Sequence, residues 1–176
     1  DCNRLAYETL MHPETWEHPI TLLQGPKGSG KTHLARIFQS KFEAIDRVDD
    51  LQHTHYVIDN ADSGAMDEEA LFHVYNHVLN TQGRLLVTMT AVPESWVKLP
   101  DLASRLRAST AVHINMPDED MVRSAYRKLF QDRGLLVDDK VLEYIALRTE
   151  RSFAAVMAVT DAIDEASLTI KRRVTI

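Results

Sequence analysis

Short apolar runs alternate with longer amphipathic ones over the first two thirds of the chain. Ile20-Thr21-Leu22-Leu23-Gln24 is a compact apolar run closed by Gly25-Pro26, which predicts a buried strand. Lys31 to Phe42 brings Leu34, Ile37 and Phe38 to one face at helical spacing. Tyr56-Val57-Ile58 predicts a second strand, Asp67 to Leu79 a helix with Leu71, Val74, Tyr75 and Val78 inward, and Arg84 to Met89 a third strand. Pro100 to Arg107 predicts a short helix with proline in its first turn. Thr110 to Asn115 predicts a further strand. Strands alternating with helices predict an α/β fold whose parallel sheet is covered on both faces.

The pattern changes after Asn115. Pro117 to Asp132, Val137 to Leu147 and Arg151 to Ile170 have helical periodicity, and Gly134 separates the first two. In the first of them Met121, Val122, Ala125 and Leu129 form the apolar stripe. The expected organisation is an α/β domain over 1–115 and a small α-helical domain over 116–176, with the boundary near Met116-Pro117.

A length of 176 residues fits one domain, or one domain with a small appendage, large enough to bury a core without staples. No 20-residue apolar stretch predicts a membrane span, and no secretory signal opens the chain. The first residue is Asp rather than Met, which reads as a trimmed start. The single cysteine, Cys2, forms no internal disulfide, and a reducing, cytoplasmic setting fits it. Twenty basic against 26 acidic residues give a net charge of −6. That argues for little direct DNA binding, which needs a basic face, while leaving room for a protein partner that itself sits on DNA.

Gly25-Pro26-Lys27-Gly28-Ser29-Gly30-Lys31-Thr32 matches G-x-x-x-x-G-K-[ST] at every fixed position, between a predicted strand and a predicted helix. Glycines let successive backbone N–H groups turn toward one anion, and the helix N-terminus adds its partial positive charge. Lys31 has the reach for β- and γ-phosphates, and the Thr32 hydroxyl suits Mg²⁺. A phosphate loop needs a second acid for the magnesium shell. Asp59, ending the strand Tyr56-Val57-Ile58, supplies it at the carboxyl edge where ligands gather in open α/β sheets. The bound nucleotide is expected to be ATP or ADP with Mg²⁺. Asn60 follows Asp59. Many ATPases place an acid there to polarise the attacking water, and an amide cannot take that proton. General-base help is worth roughly 10²–10⁴-fold, so hydrolysis by this chain alone is expected to be slow.

At this point the chain resembles a family. The phosphate loop, Val57-Ile58-Asp59-Asn60, Leu85-Leu86-Val87-Thr88 and Leu99-Pro100-Asp101-Leu102-Ala103-Ser104-Arg105-Leu106 occur in that order before the helical tail. Together they resemble the AAA+ ATPases of the bacterial initiator DnaA group, and within it the Hda-type regulators that inactivate the initiator. Asp59-Asn60, the block around Arg105 and the tail Ala166-Ser167-Leu168-Thr169-Ile170, with Thr175-Ile176 behind it, carry the Hda likeness. Cys2-Asn3-Arg4-Leu5-Ala6 resembles the group's adenine-side motif.

The resemblance implies that the nucleotide is bound by Gly25 to Thr32, by the following His33, by Asp59 and Asn60, and by Leu5. It implies a polar sensor near the γ-phosphate at Thr88, and an arginine finger at Arg105 that reaches into a neighbour's nucleotide. It implies DnaA as partner, with possible self-association. It also implies a sliding-clamp contact made by an N-terminal peptide expected to precede residue 1. DnaA itself continues into a helix-turn-helix DNA-binding domain, which these 176 residues do not show. The family's lid arginine falls on Ala154, with Arg151 one turn earlier as the available substitute.

Other features carry blander readings. His73 and His77 lie four apart on one helix, and His53 and His55 alternate on a strand approach, all without a third metal ligand in sight. Trp16 and Trp96 read as sheet packing, and Lys171-Arg172-Arg173 as charges near a helix C-terminus. Three further readings stay open: an initiator or loader ATPase active in its own right, a nucleotide-stabilised binding adaptor, and a small phosphate-loop kinase.

Overall fold

The computed structural model describes residues 3–170. Cys2, Lys171-Arg172-Arg173 and Thr175-Ile176, singled out above, lie outside them. The chain divides into two compact units. One holds residues 3–26 and 31–115; the other groups residues 27–30 with the chain from Met116 onward.

The larger unit begins with α1 (Arg4–Met11), then β1 (Ile20–Gln24), α2 (Lys31–Phe42) and β2 (His55–Ile58). It continues with α3 (Glu68–Thr81), β3 (Arg84–Met89), α4 (Pro100–Ala108) and β4 (Thr110–His113). The strands form one parallel sheet in the order β2-β3-β1-β4. Ile45 adds an isolated parallel bridge to Tyr56 at the β2 edge.

Strand alternation sorts the core onto two faces. Ile20, Leu22, Tyr56, Ile58, Leu85, Val87 and Met89 point to one face and pack with Leu71, Val74, Tyr75 and Val78 of α3 and Leu102 and Leu106 of α4. Leu23, Val57 and Leu86 point to the other and meet Ala6, Leu10 and Met11 of α1 and Ala35 and Phe38 of α2. Trp16 belongs to this second core, stacked on Phe38 with centroids 5.6 Å apart. Trp96 packs partly buried against the first. The inward stripe of α2 is Ala35 and Phe38, with Leu34 and Ile37 at its margin.

Helix starts differ from the apolar periodicity where a side chain caps them. Asp67 precedes α3 and accepts from the backbone N–H of Glu69 (3.0 Å) and Ala70 (3.2 Å). Periodicity cannot see such caps, because the cap residue is polar and outside the repeat. α1 has only eight residues, and packing of Ala6, Leu10 and Met11 on α2 and the sheet sustains it.

The smaller unit contains α5 (Glu119–Asp132), α6 (Asp139–Ala146) and α7 (Phe153–Ile170). α5 starts at the cap Asp118, whose carboxylate accepts from Met121 N–H at 2.8 Å, rather than at Pro117. Its buried stripe is Val122, Tyr126 and Phe130; of the expected stripe Val122 is buried, Ala125 and Leu129 pack partly buried at its margin, and Met121 lies outside it. The aromatic rings win the interior because they remove the most apolar area from water. α7 starts at Phe153 instead of Arg151, with Ser152 Oγ accepting from Ala155 N–H (3.1 Å).

Candidate functional site

The carboxyl ends of β1, β2 and β3 gather the predicted chemistry. β1 is hydrogen-bonded to β3, which is hydrogen-bonded to β2, so Gln24 ends beside Met89 and Ile58 beside Val87, two residues earlier on β3. Gly25 N–H donates to Met89 O at 3.2 Å, fixing where the loop leaves the sheet. Gly28 (φ +86) and Gly30 (φ +102) take the left-handed backbone that only glycine adopts without strain. Gly28 also has no room for a side chain: a Cβ there would stand 2.7 Å from Ser152 Cβ. A Cβ on Gly30 would stand 3.0 Å from the Phe153 ring, and Phe153 N–H donates to Gly28 O at 3.2 Å. Ser152 and Phe153 had no signal in the sequence, since their role is a backbone fit.

Lys31 is buried at the first position of α2, and its Nζ donates to Gly25 O (2.7 Å) and Pro26 O (2.9 Å). Burial pushes its pKa below the ordinary lysine value, and the carboxylates of Asp62 and Asp59 pull it back up. Thr32 follows, half-buried, while Lys27 and His33 are exposed. Ser29 Oγ is buried without a hydrogen-bond partner among the described residues. An orphaned hydroxyl, two left-handed glycines and a buried ammonium fit the polyphosphate of a nucleotide. For Mg²⁺ the oxygen donors are Thr32 and Asp59, a hard-ligand set suited to an ion that keeps phosphate and water in its shell.

Asp59, Asn60 and Thr88 are tied into one cluster. Thr88 Oγ1 donates to Asp59 Oδ1 at 2.5 Å and accepts from Asn60 N–H at 2.9 Å. Asn60 Nδ2 donates to Asp59 Oδ2 at 3.2 Å. The Thr88 proton is thus committed to Asp59, while each carboxylate oxygen keeps a free lone pair. Asn60 sits at φ 54, ψ 48, a left-handed bend that asparagine tolerates better than most residues. Asp62, which the sequence reading passed over, accepts at Oδ2 from Thr90 N–H and Ala91 N–H, both at 2.8 Å. It binds the turn after β2 to the turn after β3, and only tertiary pairing of those strands reveals it.

The remaining candidates have other surroundings. Leu5 is 76% exposed on α1, whereas Asn3 pairs reciprocally with the Asn115 backbone, Nδ2 to O at 3.0 Å and N–H to Oδ1 at 2.9 Å. Ala154 is exposed on α7, and Arg151 faces Glu119 at 3.7 Å. His77 belongs to the scaffold: its Nε2 bonds His53 O at 2.9 Å.

Arg105 does not stand free. Its Nε bonds Asp101 Oδ2 at 3.1 Å and its Nη1 bonds Asn76 Oδ1 at 3.2 Å. The guanidinium lies 5.1 Å from the Phe72 ring centroid and 5.9 Å from that of Tyr75. Its side chain is 39% exposed.

Comparison with known proteins adds to this geometry. Residues 118–176 match the family model described as "Hda, lid domain". An uncharacterized protein of Haemophilus influenzae is 28% identical over 202 aligned positions, covering 100% of this chain and 87% of the relative. Domain III of the Thermotoga maritima replication initiation protein DnaA superposes with a TM-score of 0.80 at 17% identity, over 99% of this chain and 88% of that one. AMPPCP-bound DnaA from Aquifex aeolicus superposes with a TM-score of 0.75 at 18% identity, over 92% of this chain. This chain spans only 61% of that DnaA. Among the described residues no helix is long and apolar enough to cross a membrane. The chain thus has the fold of DnaA domain III, and its residues 118–176 are similar to the Hda lid family.

Proposed function

We propose that this chain binds ATP or ADP with Mg²⁺ and regulates replication initiation by stimulating hydrolysis of the ATP held by DnaA. The observation that carries the reading is Asn60. The position beside the metal-side acid Asp59 is an amide turned onto that acid's own carboxylate, so no base stands there. A protein that grips nucleotide without a base at that place is suited to regulation rather than to turnover of its own.

Each residue then has a task. The left-handed glycines and Ser29 cradle phosphate, and Lys31 neutralises its charge. Thr32 and Asp59 would hold Mg²⁺, which would screen the phosphate oxygens. Thr88 holds Asp59 and the Asn60 backbone in register. Arg105 is the group offered to the partner's ATP, where a guanidinium stabilises charge developing on the transferred phosphoryl group, worth roughly 10³–10⁵ in rate. Contact with the sliding clamp and self-association belong to the same reading, as does a cytoplasmic location.

The test compares ATP turnover by DnaA with the wild-type chain and with Arg105→Ala. Stimulation should vanish with the variant while its ADP binding persists. Equal stimulation by both removes the finger. The side-chain contacts around Arg105 favour a second reading, a nucleotide-stabilised adaptor. On that reading ADP raises the chain's thermal stability and DnaA turnover is unaffected by the wild-type protein.

A further inference from the structure

The surroundings of Arg105 are built from two helices at matching spacings. Phe72, Tyr75 and Asn76 sit at i, i+3 and i+4 on α3 and present one face. Asp101 and Arg105 sit at i and i+4 on α4, with the acid on the N-terminal side, the favourable order for such a pair. Asp101 takes Nε, Asn76 takes Nη1, and the guanidinium carbon lies over both rings. Tyr75 OH donates to Arg105 O at 3.3 Å, so the backbone under the arginine is fixed as well. Phe72 and Asp101 also line a cavity of about 320 Å³ between α3 and the start of α4. Phe72 also packs partly buried against the core, whereas Asp101 is exposed and has space to swing aside.

We infer that Asn76, Asp101 and Phe72 form a holster that keeps Arg105 on its own subunit, and that docking of the partner draws the guanidinium out. The inference rests on the finger reading above and adds its regulation. Asn76 and Asp101 are positioning residues: they touch Arg105 and not the reacting atoms. Withdrawal is a conformational step taken before or during docking, so it reduces the affinity for DnaA by the fraction of chains with the arginine free. It leaves the rate within the assembled complex untouched. A holster of this kind keeps the chain from acting on weak or chance encounters.

Two measurements test it. In the free chain, the Arg105 Nε–H proton should exchange with water more slowly than that of exposed Arg36, and the Asn76→Ala/Asp101→Ala double variant should abolish the difference. With DnaA, the double variant should reach half-maximal stimulation at a roughly three- to tenfold lower concentration, with the maximum unchanged. ADP binding by the double variant checks that it is folded; if it is not, Asp101→Asn takes its place with a smaller shift in the same direction. Exchange at Arg105 as fast as at Arg36 overturns the holster. So does a half-maximal concentration that stays the same or rises. Slow exchange together with full stimulation by Arg105→Ala locates the failure in the finger reading: the hold is then present but serves no release.

Discussion

The phosphate loop and the Arg105 surface hold positive side chains in contrasting ways. Lys31 is buried, and its ammonium is bound by main-chain carbonyls of a loop whose glycines admit no side chain. Arg105 is 39% exposed and held by side chains alone: a carboxylate, an amide and two rings. Main-chain ligands move only if the backbone moves, whereas side-chain ligands can rotate away. An exposed i,i+4 ion pair is worth about 0.3–0.5 kcal/mol and an exposed cation–π contact about 0.5–1 kcal/mol. A finger worth 10³–10⁵ in rate corresponds to roughly 4–7 kcal/mol. On the proposed reading, release is therefore small beside what it would make available. The difference teaches that the hold on Lys31 changes only with the backbone, whereas the hold on Arg105 can open by side-chain rotation alone, as the proposed storage requires.

The sharpest break of this contrast is Arg105→Ala, which should cut stimulated DnaA turnover by roughly 10³-fold or more while leaving ADP affinity alone. Next in size is Lys31→Ala, measured by calorimetric titration with ADP. Losing charge-assisted contacts worth about 1.5–3 kcal/mol should weaken binding roughly 10- to 100-fold. Gly28→Ala tests the rigidity of the loop. Its left-handed backbone and the 2.7 Å approach to Ser152 should cost about 1–3 kcal/mol, read as a thermal midpoint lower by roughly 2–10 °C. An unchanged midpoint would mean that the loop yields easily and the contrast with Arg105 is false.

The smallest effect concerns the scaffold that carries Asp59. His55 opens β2, and burial followed by the nearby Arg84 charge pushes its pKa below the ordinary 6.5. The unfolded chain then binds the extra proton first as pH falls below 6.5, so the neutral folded form loses stability on acidification through that window. Thermal melts between pH 7 and 5 should show a steeper decline for wild type than for His55→Gln.

Much of the site was legible because its chemistry is local. The phosphate loop announces itself through fixed spacing, and Asp59 through the apolar strand before it. The parallel sheet follows from alternating runs, and the inward face of α3 from Leu71, Val74, Tyr75 and Val78. The stripe of α5 was right at Val122 and displaced beyond it, because Tyr126 and Phe130 compete with the neighbouring Ala125 and Leu129, and packing against α6 and α7 makes the choice. Asp62 was invisible because its partners are 28 and 29 residues away along the chain. The hold on Arg105 was half visible: Asp101 is its helical neighbour, but Asn76 lies 29 residues upstream.

By itself, the sequence determined which groups this protein owns: a phosphate loop, an acid followed by an amide, and an arginine on a short helix. Those follow from residue type and near-neighbour spacing, which local backbone geometry translates directly into elements. The tertiary structure alone decided what each group is bound to. Thr88 donates a hydrogen bond to Asp59, Ser152 closes on Gly28, and Asn76 takes hold of Arg105. Such partners are chosen by strand order and helix packing, and a contact across 29 or more residues leaves no periodic trace in the chain.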